Sequence, residues 1–206
     1  AYKKGFKLVE VPIMFIDCLK DSHFVRCKFV GTWATGTGEE VSPVISGSSS
    51  AVLVRGLGAV TTENVRFTNC EFTKVAHALY CDYDSYEVTF ESCKFTNLFR
   101  GLTLCKNSTN TNGQNYGPQD YLIENCVFDK IDAEAWRVFP NSASAGHRSV
   151  GNKFYDVGNN CAEQSQPTTP VLNFEASNCV SVSDHFQRYF DINNIDLNKI
   201  GLPSTY

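Results

Sequence analysis

The chain has 206 residues, 42% of them hydrophobic and 19% charged, with a formal net charge of -4. That is enough chain for one large domain or two small ones, and enough apolar residue for a sizeable core. The acidic balance and the lack of any Lys/Arg block exclude an electrostatic footprint for nucleic acid or an anionic membrane, and no run of about 18 apolar residues is present to insert in a bilayer.

In chain order, KLVEVPIMFIDC (7–18) reads as strand. Glu10, Pro12 and Asp17 break the unbroken apolar run that a secretory signal requires. The chain starts without Met, as expected of a processed product or a segment of a longer protein. VRCKF, ending at Phe29, opens a repeat. It recurs as VRFTNCEFTKV (65–75), VTFESCKFTNL (88–98), YLIENCVFDKI (121–131) and SVGNKFYDV (149–157), the last with Asn152 in the Cys place. A second strand follows the complete units: AHALYC (76–81), FRGLTLC (99–105) and DAEAWRVF (132–139). These alternate apolar and polar residues with the strand period of two. Two polar stretches read as insertions, GTWATGTGEEVSPVISGSSS (31–50) and KNSTNTNGQNYGPQD (106–120). The second accounts for the step from a Cys70–Cys93 spacing of 23 to a Cys93–Cys126 spacing of 33. NNCAEQSQPTTP (159–170) reads as a connection. Residues 1–160 then form the repeating body, and 161–206 a terminal rung or cap with a C-terminal tail.

A period of 20–25 residues with short strands and corner insertions describes a β-solenoid. The Leu content is too low for leucine-rich repeats. Inward side chains of successive rungs stack about 4.8 Å apart, so like residues form ladders. Phe29, Phe72, Phe95, Phe128 and Phe154 form one ladder, Cys27, Cys70, Cys93 and Cys126 another, and Cys81 and Cys105 a third. The nine cysteines are odd in number and lack any CxxC pair, which disfavours structural zinc. They read as small apolar rungs with free thiols, in a protein made in a reducing cytoplasm. The Asn107-Ser108-Thr109 sequon is then a chance match.

The pattern V-x-F-x-N-C-x-F-x-N/K-hydrophobic, followed by Gly101-Leu102-x-Leu104, resembles the right-handed parallel β-helix repeat of the pectin-lyase-like family. The tail NFEASNCVSVSDHFQRYF (173–190) is similar to segments of β-helical virion proteins of tailed phages. The implied fold is all-β: a single-stranded right-handed parallel β-helix with inserted loops and a small C-terminal cap or tail. The implied function is a structural protein of a phage virion, in tail, baseplate or tailspike, acting in assembly or host-surface attachment. Its place would be the virion, assembled in the host cytoplasm. Its partners would be other virion proteins, identical chains in a trimer, or a host surface glycan. No cofactor and no metal are expected.

The residues leave two further readings open. A tailspike-type polysaccharide depolymerase, a glycoside hydrolase or lyase, would use an outward acidic pair. Glu91 and Glu124 both stand two places before a ladder Cys, and two carboxylates about 5 Å apart suit a retaining glycosidase. The same placement describes a solvated like-charge pair. Asp82 and Asp84 cluster with Glu87 in a turn that favours Asp anyway, and Asp129, Asp132 and Glu134 form a third acidic patch. Of the family's polygalacturonase motifs, only Gly146-His147-Arg148 resembles one. The other reading is a carbohydrate-binding module. Tyr80, Thr103 and Trp136 are read as equivalent and outward, with Tyr83, Tyr86 and Tyr116 in nearby connections. Outward aromatics equally suit a subunit contact. His77 and Arg100 share a register and are expected to touch on the outer face.

Overall fold

A computed structural model of the chain describes residues 12–32, 50–55, 61–105, 117–158 and 171–187. Most of both insertions lies outside those residues, with Tyr116 and the sequon, as do residues 1–11, the 159–170 connection and the tail beyond 187. The described residues form nineteen strands and no helix. The strands come in successive sets of three. The first is β1 (Met14–Asp17), β2 (Lys20–Val25) and β3 (Lys28–Val30), and the second β4 (Ser50–Arg55), β5 (Thr62–Thr68) and β6 (Glu71–Thr73). The third is β7 (His77–Cys81), β8 (Ser85–Glu91) and β9 (Lys94–Leu98). The fourth is β10 (Arg100–Leu104), β12 (Leu122–Glu124) and β13 (Val127–Ile131), with the short β11 (Pro118–Gln119) ahead of β12. The fifth is β14 (Trp136–Val138), β15 (Arg148–Val150) and β16 (Lys153–Val157), and the sixth β17 (Leu172–Phe174), β18 (Val180–Val182) and β19 (His185–Gln187).

Each set gives one strand to each of three sheets, and every strand pairs in parallel with its counterparts in the neighbouring sets. The described residues are therefore all-β and parallel, as the Cys-x-Phe repeat predicts. The sixth set continues all three sheets in register, inside the stretch read as a terminal rung or cap.

The phenylalanines hold the third sheet's inner face. Phe29, Phe72, Phe95, Phe128 and Phe154 stack with ring centroids 4.3–5.1 Å apart, and Phe186 adds a sixth ring at 5.1 Å. Full burial of one such side chain stabilises by roughly 1.5–3 kcal/mol. A second stack on the second sheet, Phe24, Phe67 and Phe90 at 4.8–4.9 Å, meets the first edge-to-face. It then narrows, because the next places in register are Ile123, Ser149 and Ser181.

The bend from second to third sheet needs a backbone that leaves the extended region. Arg26, Asn69, Ser92, Asn125, Gly151 and Ser183 take it, with φ between +53° and +63°. Two other stacks share this conformation: Asp21, Asn64, Glu87, Asp120, Gly146 and Asn178, and Lys74, Asn97, Lys130 and Asp156. Asn and Asp tolerate left-handed φ, whereas for other side chains it costs roughly 1–2 kcal/mol per residue.

The residue after the bend is the ladder cysteine, and it does more than fill space. The Cys70 N–H donates to Cys93 Sγ (3.4 Å) and the Cys93 N–H to Cys126 Sγ (3.2 Å). The thiols in turn donate to the preceding set's carbonyls, Cys70 to Phe24, Cys93 to Phe67 and Cys126 to Phe90, at 3.3–3.5 Å. Asn152 makes the same two bonds with an amide: Oδ1 accepts the Cys126 N–H at 2.8 Å, and Nδ2 donates to the Ile123 carbonyl at 2.9 Å. Asp184 Oδ1 accepts the Asn152 N–H at 2.7 Å. The described cysteines form no disulfide among themselves. The third cysteine ladder does not form as read: Cys81 stands opposite Leu104, so Cys105 lies one place further on.

Two outcomes follow in chemical denaturation. Lys130→Val forces a β-branched residue into a left-handed φ and lowers stability by about 1–2 kcal/mol, while Lys130→Gly does not lower it. Cys126→Ala strips the Cys93 N–H of its acceptor and costs roughly 1–3 kcal/mol; a loss no larger than that of an exposed control would reduce the ladder thiols to filler.

Candidate functional site

Glu91 and Glu124 stand opposite each other on β8 and β12, partly exposed on the outer face of the second sheet. Glu91 Oε2 accepts the Thr68 hydroxyl at 3.3 Å and lies 3.8 Å from Arg66. Arg148 is exposed on the neighbouring β15, opposite Leu122. The outer face thus carries both charges across four adjacent strands.

The turn acids do other work. Asp84 Oδ1 accepts the Gly117 N–H at 2.9 Å. Gly117 presses against the 143–144 backbone so closely that a Cβ would collide with it. Asp84 therefore pins the chain where it enters β11 beneath that crossing. Asp82 and Tyr83 lie partly buried in the same turn, and the Tyr83 carbonyl accepts the Cys81 thiol at 3.2 Å. Among the described residues no group of three His, Cys, Asp or Glu is placed to hold a metal ion.

The aromatic expectation is corrected. Tyr80 stands opposite Thr103 as read, but Thr103 stands opposite Arg137, so Trp136 is one place out of the assumed register. That slip turns it to the other face. Trp136 instead aligns with Leu102 and Leu172, is fully buried, and packs edge-on against Phe174 at 4.9 Å. Tyr80 is buried too, beside His77 at 5.5 Å. Neither ring offers a surface to a glycan or a partner. All of β7 and β10 is buried, so this part of the first sheet is covered on both faces.

The third acidic patch is also corrected, because Asp132 and Glu134 are buried. Glu134 belongs to a row of alternating charge. Its Oε2 takes the Arg100 Nε–H at 2.6 Å, its Oε1 lies 3.7 Å from Arg137, and Arg137 pairs onward with Glu175. Arg100 and Arg137 also lie over the rings of Phe99 and Phe139, each 4.6 Å from the centroid. The row ties the fourth, fifth and sixth sets together along the first sheet. Arg100 and His77 share a register, as expected, yet use different partners: His77 Nδ1 lies 2.8 Å from the Thr103 hydroxyl. Sequence spacing gives no cue to the row, since Arg100 and Glu134 are 34 residues apart.

A second network is wholly internal. Tyr121 Oη, Ser85 Oγ and Cys81 Sγ form a chain at 2.9 and 3.3 Å, and Ser144 Oγ meets His147 Nε2 at 2.8 Å. All five residues are buried. The Gly146-His147-Arg148 resemblance to a catalytic motif thus falls on an imidazole without solvent contact. Burial pushes the Cys81 and Cys70 thiols up to about 11 and Cys105 up to about 12, and raises Cys126 strongly. Cys93 is lowered, chiefly by its side-chain hydrogen bonding with Cys126. A raised, buried thiol is a poor nucleophile.

Compared with known proteins, the chain matches no family model, no curated protein and no solved structure.

Breaking the charge row by Glu134→Gln leaves Arg100 buried beside a neutral amide and costs roughly 3–5 kcal/mol of unfolding free energy. Pairing it with Arg100→Met restores most of that loss in a double-mutant cycle.

Proposed function

We propose that the three sheets close into one right-handed parallel β-helix, and that this rod is a structural segment of a phage virion. It works in tail, baseplate or tailspike through rigidity and attachment, with identical chains or other virion proteins as partners. The hand follows from the rule that crossovers between parallel strands of one sheet are right-handed in about 98% of cases. Each return of the chain, as from β1 to β4, is such a crossover.

The observation that carries this reading is the use made of the polar interior. Ladder thiols accept backbone N–H groups, Glu134 is clamped by arginine, and Asp84 holds a strand entry. These groups support the fold and are committed to it. Antibodies against the chain should label intact particles of the phage that encodes it, in electron micrographs. Labelling confined to lysate protein that never joins a particle would sink the reading.

A second reading rests on the aligned Glu91 and Glu124, both open to solvent in part. A polysaccharide depolymerase would place the scissile bond across this pair on the second sheet's outer face. Host surface polysaccharide incubated with the protein is then assayed for new reducing ends, with Glu91→Gln and Glu124→Gln alongside. The structural reading predicts no release from any of the three. Release by the wild type that both variants lose by 100-fold or more (on the order of a full catalytic contribution) would make the pair catalytic.

A further inference from the structure

One buried titratable group joins three successive sets of strands. His147 immediately precedes β15 and is fully buried. Its carbonyl accepts the Val180 N–H of the sixth set at 2.9 Å. Its ring reaches back to the fourth set. Nδ1 accepts the Tyr121 N–H at 3.4 Å, and Nε2 lies 2.8 Å from Ser144 Oγ, which itself donates to the Pro118 carbonyl at 2.8 Å. These contacts fix the tautomer. Ser144 has one proton and gives it to Pro118, so Nε2 carries the ring proton and Nδ1 presents a lone pair to Tyr121.

A second ring proton has no acceptor. It would sit on Nδ1 and point at the Tyr121 N–H, donor against donor. Every wall of the site is uncharged where it meets the ring. The Trp136 indole lies 5.6 Å away and the Tyr121 phenol 5.7 Å. The Cys105 thiol approaches Ser144, and the Cys179 thiol approaches the backbone of Gly146 and His147. Of the charged neighbours in sequence and space, Arg148 is exposed, and the exposed Asp120 packs against Gly146. Burial alone lowers the imidazole to about 4.

The geometry points to an acid-sensitive latch: protonation of His147 frees the 144–147 segment from Pro118 and Tyr121 and loosens the sixth set while the earlier sets stay paired. The sixth set is the one able to respond, because all of β18 and β19 is exposed whereas β7 and β10 are buried throughout. The closed ring binds its proton less tightly than the usual imidazole near 6.5, so the latch is at full strength above that pH. It weakens as pH falls toward about 4, by up to about tenfold in the opening constant per pH unit.

Hydrogen exchange of the whole chain, read by mass spectrometry at about pH 7 and about pH 4.5, tests the latch once intrinsic rates are corrected. Peptides covering 118–121, 144–150 and 180–187 should lose protection in acid while 88–98 keeps it, and His147→Gln should remove that difference. The same acid loss in His147→Gln would overturn the proposal. If that variant does not fold, the wild-type ring resonances decide. They should hold the neutral form down to about pH 5, and a titration centred near 6.5 would overturn the proposal equally.

Discussion

At each passage from the second sheet to the third, one residue enters left-handed φ and the next turns its side chain along the stack, toward the backbone of the neighbouring sets. A corner of that shape would strand the following N–H in the interior, where an unpaired donor is costly. The ladder side chain removes the problem by accepting it. Cysteine accepts at two consecutive corners, Cys93 and Cys126, Asn152 at the next and Asp184 at the last. With the corner fixed, the two residues that follow are fixed as well, and the phenylalanine two places on must stack on its counterpart. Sheet spacing, ring stacking and hydrogen bonding are thus three readings of one constraint.

That constraint also determines where chemistry could reside. Asn152, Asp184, Glu134 and the ladder thiols are held against backbone or against a charged partner, and burial raises the thiols of Cys70, Cys81, Cys105 and Cys126. The second sheet's outer face carries charges of both signs in reach of solvent, with Arg66, Glu91, Glu124 and Arg148 on neighbouring strands, and the third sheet carries the exposed Lys28–Glu71 pair. These residues were chosen by solvent, whereas the interior was chosen by stacking.

The parallel stack was legible because its corner repeats. Cys-x-Phe aligned four sets and Asn152-x-Phe154 a fifth, and the register of Phe29 through Phe154 follows without adjustment. The first sheet was not legible to the same accuracy. It carries no corner marker, and the chain enters it after connections of unequal length, so aligning AHALYC, FRGLTLC and DAEAWRVF by their apolar residues misplaced Cys105 and Trp136 by one. With a period of two, one residue is the difference between a surface aromatic and a core one. The Arg100–Glu134 pair and the His147 contacts were invisible for a related reason. They depend on which residues the stack superposes, a fact that a single repeat unit does not contain.

The narrowing of the second-sheet stack from Phe90 through Ile123 to Ser149 and Ser181 makes the molecule polar in the mechanical sense. Each set is held mainly by its neighbours, so the stack behaves as a one-dimensional array with unequal links. The links joining three phenylalanines bury more apolar surface than those joining a serine to a serine. Tension along the axis therefore meets its weakest link near the carboxyl end, and peeling would run from there toward the aromatic sets. Among the described sets, the stack yields first on its serine side and last on its aromatic side.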